Sequence, residues 1–94
     1  MPPCAIEFTG RFRGLAHKLQ ADRQKELEEV LQRLSATFGQ PHLHSGLGIR
    51  RLRGSYFECR LDRDLRLVFK LDGNTLVLAL LGDHNDVRRF IKDV

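Results

Sequence analysis

Hydrophobic positions recur with a helical period in the first part of the chain and with a strand period in the second part. Residues 5–8 (AIEF) alternate and predict a short first strand, which ends at Thr9 and Gly10. Farther along, apolar side chains follow the i, i+3, i+4, i+7 spacing of an amphipathic helix, with polar residues between them. This helical stripe consists of Leu27, Val30, Leu31, Leu34 and Phe38.

The helical part of the pattern divides into two segments. An earlier apolar stripe ends at Leu19, and no large apolar side chain follows until Leu27. Asp22 lies in this gap and belongs to a residue type that caps helix N-termini. We therefore predict two helices, over residues 11–20 and 23–38, packed as a hairpin. The alternative is one long helix.

Three segments in the second half alternate with period two and predict strands. In residues 56–61 (YFECRL) and 65–71 (LRLVFKL) every second side chain belongs to an apolar row. Residues 75–81 (TLVLALL) are apolar on both faces, as in a central strand. The tripeptide DGN at 72–74 supplies a hairpin turn. Residues 49–52 (IRRL) are a further candidate, for an edge strand.

These elements predict an α+β fold with the order β-α-α-β-β-β-α in a single domain over residues 1–94. We expect a twisted, mostly antiparallel sheet of about four strands, with the helical hairpin on one face and a short C-terminal helix over 85–94. If the hairpin covers the face formed by Leu65, Leu67 and Phe69, the opposite face is open to solvent. Three cations then line a concave surface there: Arg60, Arg66 and Lys70.

The net charge of +4 is concentrated in one stretch of the chain. Residues 44–70 carry seven basic and three acidic side chains, and six of the seven basic residues are arginine. Because the guanidinium group presents a planar fork that matches phosphate oxygens, this stretch indicates a nucleic-acid or phosphate partner. The alternative is a solvated face whose cations pair with acids on neighbouring strands. Those acids are Glu58, Asp62 and Asp64.

Composition narrows the class of protein further. The longest apolar run, residues 76–81, is far shorter than the roughly 18 residues of a membrane span, and no secretory signal is visible. Two cysteines, Cys4 and Cys59, are too few for a disulfide scaffold. We therefore expect a soluble cytoplasmic domain without a membrane partner.

His84 is the candidate general acid or base. It lies where the last strand is predicted to end, within GDHND at 82–86, and a histidine titrates near neutral pH. The alternative is a purely structural turn in which Asp83 or Asn85 caps the final helix.

Metal ligands and nucleophiles are not evident. His42 and His44 form no paired metal-binding motif with Cys59 or His84, so no metal site is predicted. Cys59 alternates with apolar neighbours and is expected in the core.

Three segments carry a resemblance to a known family. They are the basic stretch Arg51–Gly54, the strand that leads to DLRLVF at 64–69, and the G-x-H-x-D pattern at 82–86. Their order after a first strand and a helical hairpin resembles the RelE/ParE superfamily of bacterial type II toxin–antitoxin toxins, over nearly the whole chain. The chain is similar especially to the branches that end in a histidine motif, such as YafQ and YoeB.

The resemblance implies an endonuclease that cuts mRNA in the ribosomal A site, inhibits translation and uses neither a metal nor another cofactor. The ribose 2′-OH would attack the adjacent phosphate, which requires a base, cations on the phosphorane and an acid for the 5′-oxygen. By position, Arg66 matches a phosphate-contacting arginine and His84 matches the histidine of acid/base catalysis. Asp64 and Arg60 match further site positions. RNA contacts are expected from Arg50, Arg51, Arg53 and Lys70.

The family also implies three partners: a cognate antitoxin, the ribosome and mRNA. The chain departs from the histidine-ending branches at Asn85 and Arg88, where an aromatic residue would be expected beside or shortly after the histidine. Two other functions therefore remain open, a ParE-like inhibitor of DNA gyrase and a non-catalytic nucleic-acid-binding module.

Overall fold

The computed structural model describes residues 4–39 and 46–94, so that His42 and His44 lie outside it. The first half contributes β1 (Ala5–Phe8), α1 (Gly10–His17) and α2 (Ala21–Thr37). The second half contributes β2 (Arg50–Arg53), β3 (Tyr56–Arg60), β4 (Arg66–Asp72), β5 (Thr75–Gly82) and α3 (His84–Lys92). The predicted α+β class is confirmed. In the described part of the chain, no helix has the length and apolar composition to cross a bilayer.

The described strands form one five-stranded sheet in the order β1-β5-β4-β3-β2. β1 runs parallel to β5, and the other three pairs are antiparallel. The candidate edge strand is therefore a strand, shifted by one residue, and the sheet has five strands rather than about four. Its register places Arg50 beside Glu58, and Arg60 beside Arg66. Cross-strand neighbours share a face of the sheet, so these pairs lie within reach of each other.

The two helices are separate, as the gap in the apolar stripe predicted. Thr9 caps α1, since its Oγ1 accepts a hydrogen bond from the backbone N–H of Phe12 at 3.2 Å and donates to the carbonyl of Leu78 at 2.9 Å. The prediction that Asp22 caps the second helix is wrong, because Gln20 occupies the N-cap position. Asp22 lies instead in the first turn of α2, where its carboxylate interacts favourably with the helix dipole.

The face of the sheet toward the helical hairpin is an apolar core. Phe12 from α1 and Leu34 from α2 are buried against the strands. Phe69 of β4 packs against two aromatic rings, 5.6 Å from Phe57 and 5.4 Å from Phe38 between ring centroids. This side of the sheet is therefore filled by side chains that can only pack.

Cys59 belongs to the same core, as the sequence predicted. Burial, and secondarily the charge of Glu58, raises the pKa of its thiol to about 12. The thiol is therefore protonated at neutral pH, which suits a packing residue and not a nucleophile.

The opposite face is covered along its middle by α3. Val87 of this helix is buried with Val68 of β4 and Leu80 of β5. The expectation that this face is open to solvent from Arg66 to Lys70 is therefore wrong. The reason is that α3 has an apolar stripe of its own, which must be buried against some part of the sheet.

Candidate functional site

A small open cleft lies at the end of the sheet that α3 leaves uncovered. Its volume is about 170 Å³. The turn between β3 and β4, the start of β4 and the start of α3 border it. The cleft therefore brings together three of the four predicted catalytic positions: Asp64 and Arg66, which are close in the chain, and His84, which follows the next strand. The residues that line it are Arg63, Asp64, Arg66, Asp83, His84 and Asn85.

The first turn of α3 is held by a reciprocal capping box, which fixes the position of His84. The backbone N–H of Asp86 donates to Oδ1 of Asp83 at 2.8 Å, and the backbone N–H of Asp83 donates to Oδ2 of Asp86 at 3.0 Å. His84 is the first residue of the helix and is exposed at the cleft. Asp83 is thus the helix cap, and this structural role leaves the side chain of His84 available for chemistry.

Gly82 allows the end of β5 to pass close to this turn. A Cβ atom at Gly82 would lie 2.6 Å from Oδ2 of Asp86 and 2.7 Å from its Cβ, so no side chain fits there. The hydrogen bond from the Asp83 backbone, with smaller contributions from the Asp83 side chain and Arg89, lowers the pKa of Asp86 below its usual value. The carboxylate therefore holds the cap in its ionised form at neutral pH.

Arg66 is held by a buried carboxylate. Its Nη1 donates to Oε1 of Glu58 at 2.9 Å, and Nη2 of Arg50 lies 3.2 Å from the same oxygen. Glu58 is 1% exposed, whereas the side chains of Arg66 and Arg50 are 24% and 63% exposed. The guanidinium of Arg66 is thus anchored on the protein side and lines the cleft on the other. An ion pair with one buried member differs from the weak, fully solvated pair that the sequence suggested.

Sequence reasoning missed Glu58, because it considered that side chain only as a partner for surface cations. A signal was present in the strand pattern. Val68 is an apolar residue on the otherwise charged face of β4, and it lies directly opposite Glu58 in the register of β3 and β4. An apolar residue at such a position indicates that another element covers the face. A carboxylate beside it must then be buried, and buried carboxylates require cations or hydrogen-bond donors.

Arg60, the fourth predicted catalytic position, lies beside Arg66 on the neighbouring strand but does not line the cleft. Its side chain is exposed, and its backbone N–H donates to the carbonyl of Leu47 at 2.7 Å. Like charges directly opposite each other on a sheet repel. The pair therefore raises the positive potential at this end of the sheet and favours an anionic ligand.

The predicted RNA-contacting cations on β2 lie on different sides of the sheet. Arg50 is beside the cleft through its contact with Glu58. Arg51 lies on the hairpin side, with its guanidinium carbon 5.7 Å from the ring centroid of Phe57. Its Nε donates to the carbonyl of Gly54 at 2.9 Å. The alternation of a strand separates these two neighbours, so one ligand surface does not include both.

The other two predicted RNA-contacting cations lie toward the C-terminal end of α3. Nη1 of Arg53 donates to the carbonyl of Ile91 at 3.5 Å, and Nζ of Lys70 lies 5.8 Å from the ring centroid of Tyr56. Lys70 is four residues along β4 from Arg66, which corresponds to about 13 Å at the rise of a strand. The prediction of one continuous basic surface from Arg66 to Lys70 is therefore wrong.

The cleft combines a histidine, a carboxylate and an anchored arginine. This set can hold a phosphate oxygen on the guanidinium, while His84 and Asp64 exchange protons with groups on either side of it. Within residues 4–39 and 46–94, no three His, Cys, Asp or Glu side chains come together as a metal site.

Solved structures of RelE and YafQ have the same fold as this chain. A YafQ mutant from E. coli is 21% identical, with a TM-score of 0.67 over 89% of this chain and 97% of that one. The archaeal RelE–RelB complex from Pyrococcus horikoshii OT3 is 13% identical, with a TM-score of 0.71 over 88% and 96%. The E. coli DinJ–YafQ complex is 22% identical, with a TM-score of 0.60 over 89% and 97%. No family model and no curated protein matches the chain.

These similarities establish the RelE-like fold, which the resemblance of the sequence implied. At such low identity they extend to the fold and not to the site. Assignment to the histidine-ending branch, and the roles of the individual residues in the cleft, remain predictions.

Proposed function

We propose that this protein is the toxin of a type II toxin–antitoxin system, and that it inhibits translation by cutting mRNA on the ribosome without a metal. The observation that carries the proposal is the cleft in which Arg66, Asp64 and His84 meet on a RelE-like fold. A phosphate-binding cation and two proton-transfer groups are what cleavage of RNA by its own 2′-OH requires.

In the proposed reaction the ribose 2′-oxygen attacks the adjacent phosphorus and the P–O5′ bond breaks. The products are a 2′,3′-cyclic phosphate and a 5′-hydroxyl end. Arg66 neutralises the charge that develops on the phosphorane, Asp64 accepts the proton of the 2′-OH, and His84 donates a proton to the departing 5′-oxygen. A single well-placed donor contributes about 10²–10³ in rate, and a positioned acid or base about 10²–10⁴.

Basic side chains around the cleft supply the electrostatic attraction for RNA. Arg63 lines the cleft, Arg60 stands beside Arg66, and Arg50 shares Glu58 with Arg66. In this proposal Arg53 and Lys70 contact more distant parts of the substrate or of the ribosome. The ribosome holds the codon in place, so the protein needs few groups of its own to position the scissile bond.

The same proposal implies a cognate antitoxin in the cytoplasm. In the solved structures, RelE is in complex with RelB and YafQ with DinJ. Here Phe8 is 40% exposed and borders two mainly apolar openings of about 330 and 460 Å³, which lie along β1 and the helical hairpin. An exposed apolar surface on a small domain is typical of a binding site for another protein. Acidic residues of the antitoxin would meet the arginines near the cleft.

The proposal is tested by expressing the chain from a tightly controlled promoter and mapping mRNA 5′ ends after induction. We expect growth arrest and new 5′ ends at in-frame positions within translated codons. The matched variant is Arg66→Gln, which removes the phosphate-binding group from the cleft and should abolish both effects. Lys25→Gln removes one positive charge from the exposed part of α2 and should retain both.

Other outcomes of this experiment identify the alternatives. Growth arrest with intact mRNA and DNA breaks would indicate a gyrase inhibitor and overturn the proposal. Harmless expression, together with RNA binding that weakens steeply with salt, would indicate a non-catalytic binding module. Cleavage that Arg66→Gln does not affect would support the activity but contradict the assignment of the site.

A further inference from the structure

Glu58 is the buried charged residue that the proposed reaction does not use. Within the described part of the chain it is the one polar or charged residue that is buried, at 1% exposure. Its Oε1 accepts a hydrogen bond from Nη1 of Arg66 at 2.9 Å and lies 3.2 Å from Nη2 of Arg50 in an ion pair. Its Oε2 has no hydrogen-bond partner among the described residues. A carboxylate removed from water is unfavourable unless cations compensate it. The two arginines therefore explain how this position tolerates a charge.

The anchoring contact restricts the guanidinium of Arg66. The side chain of arginine has several rotatable bonds, and a solvated one samples many orientations. In Arg66, Nη1 is hydrogen-bonded to a buried carboxylate, because Glu58 lies on β3 between two paired strands and beside the buried Val68. The remaining N–H groups of the planar fork are then presented to the cleft in a defined direction.

We propose that Glu58 is a positioning residue, which holds the guanidinium of Arg66 in the orientation that receives the scissile phosphate. This inference rests on the proposed function and extends it to a residue outside the reacting groups. Glu58 is too buried to touch RNA and acts through Arg66. The arrangement also has an electrostatic consequence. The negative charge of Glu58 offsets one of the positive charges at a site that binds an anion. Its role is therefore to orient Arg66 at some expense to the affinity for RNA.

This trade-off distinguishes positioning from a merely structural role. Glu58→Gln keeps the size of the side chain and removes its charge, so the hold on Arg66 weakens while the net charge of the cleft becomes more positive. At saturating protein, we expect the cleavage of mRNA on the ribosome to slow by about 10²-fold, because a small displacement of the Arg66 guanidinium from the phosphate has an effect of this size. Binding of a fully 2′-O-methylated RNA, which cannot be cut, should be at least as tight as for the unmodified protein. Its dependence on salt should become steeper by about 0.7 in the logarithmic slope.

Two further variants control for charge and folding. Glu29→Gln makes the same change of charge on the exposed side of α2, and we expect wild-type cleavage and an unchanged salt slope. Glu58→Asp keeps the charge but shortens the side chain by one methylene. It should fold and cleave at an intermediate rate, so that the inference stays testable if Glu58→Gln does not fold. An Asp variant that folds and cleaves at the wild-type rate would overturn the inference.

Coupling between the two residues provides the decisive measurement. If Glu58 acts through Arg66, replacing it in an Arg66→Lys background should change the cleavage rate by less than about 3-fold, because lysine presents no fork to orient. A reduction that remains about 10²-fold in that background would show that Glu58 acts independently of Arg66, and the inference would be wrong.

Side-chain NMR separates this inference from the proposed function. The guanidinium signals of Arg66, assigned by their loss in Arg66→Lys, should be sharp and slow to exchange in the unmodified chain and should broaden in Glu58→Gln. If those signals are unaffected by Glu58→Gln, Glu58 does not hold Arg66 and the inference fails. If they respond as expected but the unmodified chain cuts no mRNA, the anchoring contact exists and it is the proposed function that fails.

Discussion

The two faces of the sheet are built from the same alternating strands but serve different purposes. The hairpin face is packed with aromatic and aliphatic side chains such as Phe69, Phe57 and Leu34. The face under α3 is divided: its middle is a small apolar cluster around Val68, and the end beyond α3 is a charged cleft. The side chains on the hairpin face contribute to the core and hence to stability. On the face under α3, a few side chains pack against the helix and the rest are available for chemistry.

The difference teaches how a small domain can accommodate both a core and a site. A chain of this size buries about 60–65% of its unfolded surface, which is enough for one substantial core. The hairpin face supplies that core, so the other face can be covered by a single short helix. Because α3 covers only part of that face, the same helix both closes the apolar cluster and places His84 at the margin of the cleft.

The largest effect that this comparison predicts is on stability, at the hairpin face. Phe69→Ala should lower the free energy of unfolding by about 3–5 kcal/mol, because the ring is fully buried among other aromatic rings. Phe90→Ala, on the half-buried face of α3, should lower it by clearly less. Urea unfolding followed by circular dichroism measures both. Equal losses would contradict the view that the hairpin face carries most of the core.

The next effect is on chemistry, at the margin of α3. His84→Ala should slow cleavage by about 10²–10⁴-fold, since it removes the proposed acid. The melting temperature should change little, because the side chain is exposed and takes no part in the cap. His17→Ala, which removes an exposed histidine from α1, is the matched control and should cleave normally. Wild-type cleavage by His84→Ala would rule out the proposed role.

Arg66→Gln should slow cleavage by about 10²–10³-fold through loss of the phosphate-binding group. Lys70→Gln is the comparison on the same strand and the same face, at the other end of α3. It should weaken RNA binding by a few-fold at most, because Lys70 is remote from the cleft. Single-turnover cleavage and RNA titrations distinguish the two outcomes. Similar losses of rate in both variants would indicate that Arg66 and Lys70 belong to one continuous RNA-binding surface, contrary to their separation in the fold.

Gly82→Ala should moderately reduce both the stability of the fold and the rate of cleavage. The added methyl group would collide with Asp86, whose position the capping box requires. We expect a loss of about 1–3 kcal/mol in the free energy of unfolding, together with slower cleavage as the start of α3 shifts. Gly10→Ala meets no atom within 4 Å and should be close to neutral. Thermal unfolding of the two variants decides whether the tight approach at Gly82 matters.

The smallest effect is on the pH dependence of stability, through Asp86 in the capping box of α3. The pKa of Asp86 is lowered in the folded protein from 3.8, so its contribution to stability is present above that value and is lost as the pH falls below it, through the folded pKa. Asp86→Asn retains an oxygen that accepts the hydrogen bond from Asp83 but does not titrate. The stability of the variant should therefore fall less than that of the unmodified chain between pH 7 and pH 3. An equal loss of stability in the two proteins over this pH range, measured by urea unfolding, would contradict this prediction.

Local patterns were sufficient for the order and type of every element except β2. The interruption of the apolar stripe before Leu27 separated two helices, and the alternation around Phe69 identified both the strand and its buried side. The segment at 49–52 was only a candidate strand, because an edge strand with two arginines among four residues has little apolar alternation. Pairing with β3 makes it a strand, and pairing is a property of two segments.

The sequence by itself determined the elements, the hairpin face of the core, and the residue types available for chemistry: arginines in the strands and a histidine after the last one. Only the tertiary structure decided which of them meet. It brought Arg66, Asp64 and His84 to one cleft, set Lys70 apart, and buried Glu58 behind Arg66. The physical reason is that periodicity reports which side chains share a face of an element. What covers that face, and where the cover ends, depends on the packing of an element that lies elsewhere in the chain.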